Sequence, residues 1–268
     1  MLKLMYITND AEVAKIAENS GVDRIFVDLE VIGKEERQKD MDTVKSKHTV
    51  NDVKNIKDIL NKSELLVRVN PIYSNSEGEI DKVIKNGADI VMLPYFKTVE
   101  EVKVFLKYVN KRAKTCLLLE TPESVEVIDE ILQLKGISEI HIGLNDLHLG
   151  YKKKFMFELI TDGTVDMLCN KFKKSGIKYG FGGIAALGQG ALPAENIIKE
   201  HYRLGSTRVI LSRSFCNTAK VKDLNEIRNI FEIEVMKIRN FEIDVKEYLN
   251  YFEENRKEID KIVESIVS

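Results

Sequence analysis

Extended and helical patterns alternate along the whole of this chain, eight times over. The extended runs are Lys3 to Thr8, Arg24 to Glu30, Glu64 to Asn70, Ile90 to Pro94, Thr115 to Thr121, Glu139 to Asp146, Lys178 to Ala185 and Arg208 to Phe215. Between them lie amphipathic segments such as Ala11 to Ser20, with Val13, Ile16 and Ala17 on one face, and Thr98 to Val109, with Val99, Val102, Phe105 and Leu106 on one face. Helix ends fall where this scheme needs them. Gly21, Gly87, Gly176 and Gly205 each precede an extended run by a few residues, as left-handed C-caps do. Asp10, Thr98 and Thr121 read as N-caps, the last followed by Pro122 at the first helical position.

Runs such as Cys116-Leu117-Leu118-Leu119 are apolar without alternation, the mark of strands covered on both faces, so an all-parallel sheet is expected. Eight strand-helix units in 268 residues favour a closed barrel, which takes about 250 residues, over an open doubly wound sheet. The expected class is therefore α/β, a (β/α)8 TIM barrel with an extended C-terminal helical segment. Residues 1–216 would form the barrel that carries the active site and 217–268 the extension. Long gaps mark insertions at Val31 to Lys47 and Leu147 to Asp162. Past Asn217, Ile227, Ile230, Phe231, Ile238, Phe241, Val245, Tyr248, Leu249 and Phe252 recur at helical spacing, a stripe that either packs on the same barrel or is swapped between subunits.

Composition narrows the functional classes. Forty-one Lys and Arg against 43 Asp and Glu give a net charge of -2, which argues against a broad phosphate-binding surface and hence against nucleic acid. The longest apolar stretch, Ile90 to Phe96, is far short of the roughly 20 residues of a membrane span, and Lys3, Asp10 and Glu12 leave no secretory h-region, so a cytoplasmic protein is expected. Cys116, Cys169 and Cys216 are widely spaced, without a Cys-x-x-Cys pair, and read as reduced and mostly buried.

Active sites of (β/α)8 barrels lie at the C-terminal ends of the strands, so polar residues closing the eight runs are the candidates. Asp28-Leu29-Glu30, Arg68-Val69-Asn70, Glu120-Thr121 and Asn145-Asp146 stand out. Glu120 and Asp146 would end adjacent strands, about 4.8 Å apart, and could hold a divalent metal at one point; capping of helices or pairing with lysine is the competing account. Arg68 in an apolar strand needs an anionic neighbour, which an acidic substrate, metal carboxylates or a structural ion pair would each provide. Gly180-Phe181-Gly182-Gly183-Ile184-Ala185 satisfies a G-x-G-x-x-A pattern but lies inside a strand with no early β-α-β unit around it, so dinucleotide binding is rejected. Gly182, Gly183, Gly188 and Gly190 either let amides approach a carboxylate or phosphate or only make a tight turn, and Ser212 and Arg213 are further anion contacts by the same logic. Lys152-Lys153-Lys154 reads as a solvated loop or a basic lid.

Five segments, in order, resemble one family: Phe26-Val27-Asp28-Leu29-Glu30, Val67-Arg68-Val69-Asn70-Pro71, Gly87 to Pro94, Leu119-Glu120-Thr121-Pro122 and Ile142-Gly143-Leu144-Asn145-Asp146-Leu147. They are similar to the HpcH/HpaI hydroxy-oxo-acid aldolases and citrate lyase β-subunits, over about residues 2 to 215. The resemblance implies a pyruvate-binding barrel, often with a C-terminal helix exchanged between subunits, and so a homo-oligomer. It implies Mg²⁺ or Mn²⁺ on Glu120 and Asp146, with Arg68 on the enolate oxygen; Asn145, Gly182, Gly183 and Arg213 are substrate-binding candidates by their places at strand ends.

One departure is informative. Where the aldolase branch places a His after Asp28-Leu29-Glu30, and the citrate lyase branch an acid, this chain has Val31. Glu30 and His148 are the catalytic substitutes by position, with His48 or a metal-bound hydroxide as further options. The expected activity is that of a divalent-metal-dependent carbon–carbon lyase on a small 2-oxo or hydroxy acid. The alternatives are a citryl- or malyl-CoA-type lyase, for which no distinct CoA clamp is visible, and a catalytically silent metabolite-binding barrel.

Overall fold

Each extended run forms a parallel strand, and the eight close in chain order, with the last hydrogen-bonded to the first. In this computed structural model, which describes residues 1–33, 48–247 and 251–268, the strands are β1 (Lys3–Ile7), β2 (Arg24–Asp28), β3 (Glu64–Arg68), β4 (Ile90–Leu93), β5 (Lys114–Leu119), β6 (Glu139–Ile142), β7 (Lys178–Ile184) and β8 (Arg208–Leu211). The (β/α)8 class expected from the alternation is the one found. Around the barrel run helices α1 (Ala11–Asn19), α2 (Val50–Ile59), α3 (Ser76–Lys85), α4 (Val99–Val109), α5 (Pro122–Glu126), α6 (Ile128–Ile131), α7 (Leu144–Gly150), α8 (Glu158–Thr161), α9 (Thr164–Lys174) and α10 (Ala194–Leu204). Most of the insertion after β2 lies outside the described residues.

The caps that the sequence announces are made. Asp10 accepts the amides of Glu12 and Val13, Thr98 forms a capping box with Glu101, and Thr121 accepts the Ser124 amide behind Pro122. Gly87 needs its missing side chain twice over, because φ is +97° and a Cβ would lie 2.6 Å from Lys57 Cγ.

Side chains alternate across each strand, and the inward set stacks in tiers. Met5, Phe26, Leu66, Ile90, Met92, Cys116 and Leu118 form an apolar plug, separate from the larger cluster between sheet and helices. Charge lies above and below the plug: Asp28 and Arg68 toward the C-terminal mouth, Arg24, Glu64, Glu139 and Arg208 on the floor. The three thiols sit within this packing, free and buried, and burial raises the pKa of each, that of Cys216 to about 11. That removes them as neutral-pH nucleophiles.

Two long helices end the chain, α11 (Leu224–Glu247) and α12 (Phe252–Val267). Helix α11 buries Ile227, Phe231, Val235 and Ile238. Phe231 meets the Tyr6 ring edge-on at 4.8 Å and the Phe215 ring at 5.3 Å. Glu242, fully buried, accepts the Leu2 amide and, at 2.8 Å, the Tyr202 hydroxyl. Helix α12 docks on α10 through Asn196 and Asn255, 3.0 Å apart. The described part of the stripe thus faces its own barrel, whereas Ile233, Met236 and Ile243 stay exposed; Tyr248 and Leu249 lie outside the described residues.

Two histidines are locked in the interior. His141 Nε2 donates to the Gly182 carbonyl at 3.1 Å, and the His201 ring stacks on Phe181 at 3.9 Å. Burial holds both neutral, pushing the His141 pKa down to about 4 and that of His201 well below its usual range. Depressed folded-state values mean that the unfolded chain binds the protons first. Stability should therefore fall as pH drops from about 6.5 toward 4, by at most about 1.4 kcal/mol per pH unit for each histidine. Urea melts across this range check it, and His201→Phe should flatten the slope. A second expectation concerns the extension: Phe231→Ala should cost about 3–5 kcal/mol in the same measurement.

Candidate active site

The register of β2 and β3 sets Arg24 beside Glu64, Phe26 beside Leu66 and Asp28 beside Arg68. At the mouth this produces a two-point ion pair, Arg68 Nε to Asp28 Oδ1 and Nη2 to Oδ2, both at 2.8 Å. Arg68 Nη1 lies 3.2 Å from Glu30 Oε2, and the guanidinium carbon is 5.7 Å from the centroid of the Phe26 ring below. Burial opposes the charge on Arg68; the fields of Asp28 and Glu30 outweigh it, with Glu120 adding to them, so its pKa is raised. The structural ion pair weighed for Arg68 therefore exists, and it leaves the cation at the barrel mouth with its side chain 14% exposed.

The second arm of the site comes from β5 and β6. Glu120 follows β5, is 3% exposed, and accepts the Tyr95 amide on Oε1 at 3.0 Å. Its carboxylate folds over Gly143, where a Cβ would lie 2.8 Å from both Glu120 Cβ and Oε2. Gly143 is also the N-cap of α7, whose first turn carries Asp146. The expectation that Asp146 closes a strand is thus corrected: β6 stops at Ile142 and the chain coils at once, because Leu144, Leu147 and His148 share one buried helical face. Glu120 and the helix bearing Asp146 still meet at Gly143.

His48 stands on the same side of the mouth. Its Nδ1 accepts the Asp28 amide at 2.9 Å. A backbone N–H can only donate, so the neutral ring carries its proton on Nε2. Asn70 tightens the neighbouring loop: its Oδ1 accepts the amides of Val31 and Ile32, each at 2.9 Å, and its Nδ2 donates to Glu79 Oε1 at 2.7 Å.

The remaining sequence candidates follow or close the C-terminal ends of β6, β7 and β8. His148 is 8% exposed on the buried face of α7, its Nδ1 3.2 Å from the Leu144 carbonyl, and among the described residues it makes no hydrogen bond to Arg68, Glu30 or Glu120. Asn145 is exposed in the first turn of α7. Gly182 and Gly183 fall inside β7, at an irregularity against β8; Gly182 has φ +53°, and a Cβ there would lie 2.8 Å from Leu144 Cδ1. Arg213 follows β8 in an exposed turn. Lys153 is paired with Asp162 at 2.8 Å and Lys154 donates to the Val267 carbonyl at the end of α12, so this loop is tied to the barrel's side.

Sequence reasoning gave no role to Tyr95 or Gly143 and did not pair Asp28 with Arg68. Asp28 had a readable signal, since the two motifs containing Asp28 and Arg68 end adjacent strands of equal length. Tyr95 had none: its role rests on a backbone amide presented at φ +49°.

The fold and the mouth define a (β/α)8 barrel in which buried carboxylates surround one arginine at the C-terminal end of the strands. The chain belongs to the HpcH/HpaI aldolase/citrate lyase family, whose model matches residues 3–166. None of the curated proteins matches the sequence. Among solved structures, an HpcH/HpaI aldolase from Desulfitobacterium hafniense DCB-2 is 14% identical with a TM-score of 0.63, covering 79% of this chain and 86% of its own. An HpcH/HpaI aldolase/citrate lyase family protein from Burkholderia cenocepacia J2315 is 14% identical with a TM-score of 0.61, covering 85% and 94%. The citrate synthase SbnG is 16% identical with a TM-score of 0.59, covering 79% and 85%. At these identities the likeness is one of fold.

Removing one partner of the buried pair should cost far more than a surface ion pair. Asp28→Ala is expected to destabilise the protein by about 3–5 kcal/mol in urea denaturation. Glu100→Ala, whose partner Lys103 is exposed, should cost no more than about 1 kcal/mol.

Proposed function

We propose that this member of the family is a divalent-metal-dependent carbon–carbon lyase that cleaves a small 2-oxo or hydroxy acid through a pyruvate-like enolate. The observation that carries the reading is the Arg68 guanidinium, fixed by Asp28 and Glu30 at the mouth beside Glu120. The residues present fit a hard dication. The donors are all oxygens, and Gly143, having no Cβ, lets the Glu120 carboxylate lie against the start of the helix that carries Asp146. Glu120 and Asp146 would hold Mg²⁺ or Mn²⁺, which supplies Lewis-acid polarisation of the substrate carbonyl.

The chain's own groups do the rest. Arg68 is held before substrate arrives, so it meets the developing enolate charge without having to reorient. Glu30 takes the proton from the substrate hydroxyl; the carbon–carbon bond then breaks, its electron pair passes to the oxo-acid fragment, the hydroxyl carbon leaves as an aldehyde, and the proton on Glu30 passes to the enolate carbon to give the free oxo acid. His48 offers Nε2–H as a hydrogen-bond donor rather than serving as the base. Asn145, Gly182, Gly183 and Arg213 are assigned to the substrate's carboxylate end. The exposed Ile233, Met236 and Ile243 of α11 support assembly of copies of this chain in the cytoplasm.

Glu120→Gln and Asp146→Asn should each weaken Mn²⁺ binding at least about tenfold in calorimetry; unchanged affinity in both would end the metal assignment. With Mg²⁺ and a panel of 4-hydroxy-2-oxo acids, pyruvate release should be detected, and Arg68→Ala should lower kcat/KM by about 10²–10³. Saturation by CoA esters instead of free oxo acids would move the assignment to an acyl-CoA lyase. Silence across the panel with tight oxalate binding would make the protein a metabolite-binding barrel.

A further inference from the structure

At the opposite end of the strands from the acidic mouth lies a second polar site. The first residues of seven strands surround a cavity of about 250 Å³ on the barrel floor. Five of its lining side chains are cations, Lys3, Arg24, Lys114, Lys178 and Arg208, and two are carboxylates, Glu64 and Glu139, which leaves a formal charge of +3 from five minus two. We propose that this cavity binds a small phosphate-type oxyanion, independently of the site at the mouth.

The two carboxylates are already shared among the cations. Glu139 is held in a two-point pair by Arg24 and lies 3.2 Å from Arg208 Nη2. Glu64 takes Arg24 Nε at 2.9 Å and Lys114, with Lys3 at 3.7 Å. Two cationic groups remain. Lys178 lines the cavity from the start of β7 with no ion pair among the described residues. Arg208 is 2% exposed, yet its Nε and Nη1 have no hydrogen-bond partner. Buried guanidinium N–H groups are rarely left in that state, because each has given up water for nothing. Burial and the neighbouring charge of Arg24 lower the Arg208 pKa against the pull of Glu139, the shift expected of a cation short of negative charge.

The chain also makes room for this arginine. A Cβ on Gly180 would lie 2.5 Å from Arg208 Cγ, so the glycine that has no dinucleotide role leaves the space in which Arg208 lies along the floor. The floor is remote from the mouth: Lys114 and Glu120 are separated by the length of β5, about 20 Å at roughly 3.3 Å per residue.

Calorimetric titration of the intact protein with inorganic phosphate, at constant ionic strength against chloride, tests the proposal. We expect saturable one-to-one binding, weakened about tenfold by Lys178→Ala and untouched by Arg68→Ala, the latter titrated under conditions where circular dichroism shows the variant folded. Arg208→Gln should abolish binding; if that variant does not fold, Lys178→Ala and Lys114→Ala, both exposed, carry the test. Glycerol phosphate run in parallel distinguishes the source: tighter binding than phosphate indicates an esterified ligand and equal binding a free ion, and both support the site. A response no larger than that of chloride would mean that water alone satisfies Arg208. That result, unchanged affinity in Lys178→Ala, or loss of binding in Arg68→Ala would overturn the proposal.

Discussion

The pairing register of β2 with β3 is the constraint on which the rest depends. Because side chains alternate with a period of two, one register choice aligns Arg24 with Glu64, Phe26 with Leu66 and Asp28 with Arg68 inside the barrel. A slip of either strand by one residue would turn its three toward the helices and strand two charges in an apolar layer. The same choice builds both polar ends of the barrel: an acid-rich mouth around Arg68 and a cation-rich floor around Arg24. The apolar plug between them keeps the two fields apart and denies water a path from one end to the other.

Buried charge on this scale is tolerated because almost every group is answered at close range. Asp28 and Arg68 satisfy one another through two parallel bonds, and Glu139 sits between two arginines. Such pairs add little to net stability relative to an apolar core, but a mispaired strand would leave several of them bare. They act as a penalty on wrong registers, and the cationic tip of Arg68 is where that device also serves chemistry.

The eight-fold alternation, the parallel closure and the N-caps were legible in the sequence, since each depends on residues within one turn or one strand. Strand ends were read too long by up to four residues, most of all at β6 and β8. Apolar character continues through Leu144 and Leu147, and only the three-dimensional packing shows that they belong to a helix. Arg68 was legible as an arginine needing an anion. The identity of that anion was not, because it lies 40 residues away and only register brings it close. His148, two residues past Asp146, ranked ahead of His48 on paper. A helical back-bond holds one in the core, and the Asp28 amide holds the other at the mouth. Gly143 carried no signal at all, because its value lies in what Glu120 does with the empty space.

The fastening of the Leu2 amide by Glu242 joins positions 240 residues apart. Together with the pairing of β1 to β8, it means that the first strand waits for nearly the last helix before its edge and its outer face are both covered. During synthesis the emerging chain therefore carries an open, adhesive border until Glu242 has been made. Contacts of such long range slow folding and prolong exposure to aggregation. A nascent chain of this design has reason to depend on chaperones, and a transcript truncated before α11 would yield a barrel that can close without being sealed.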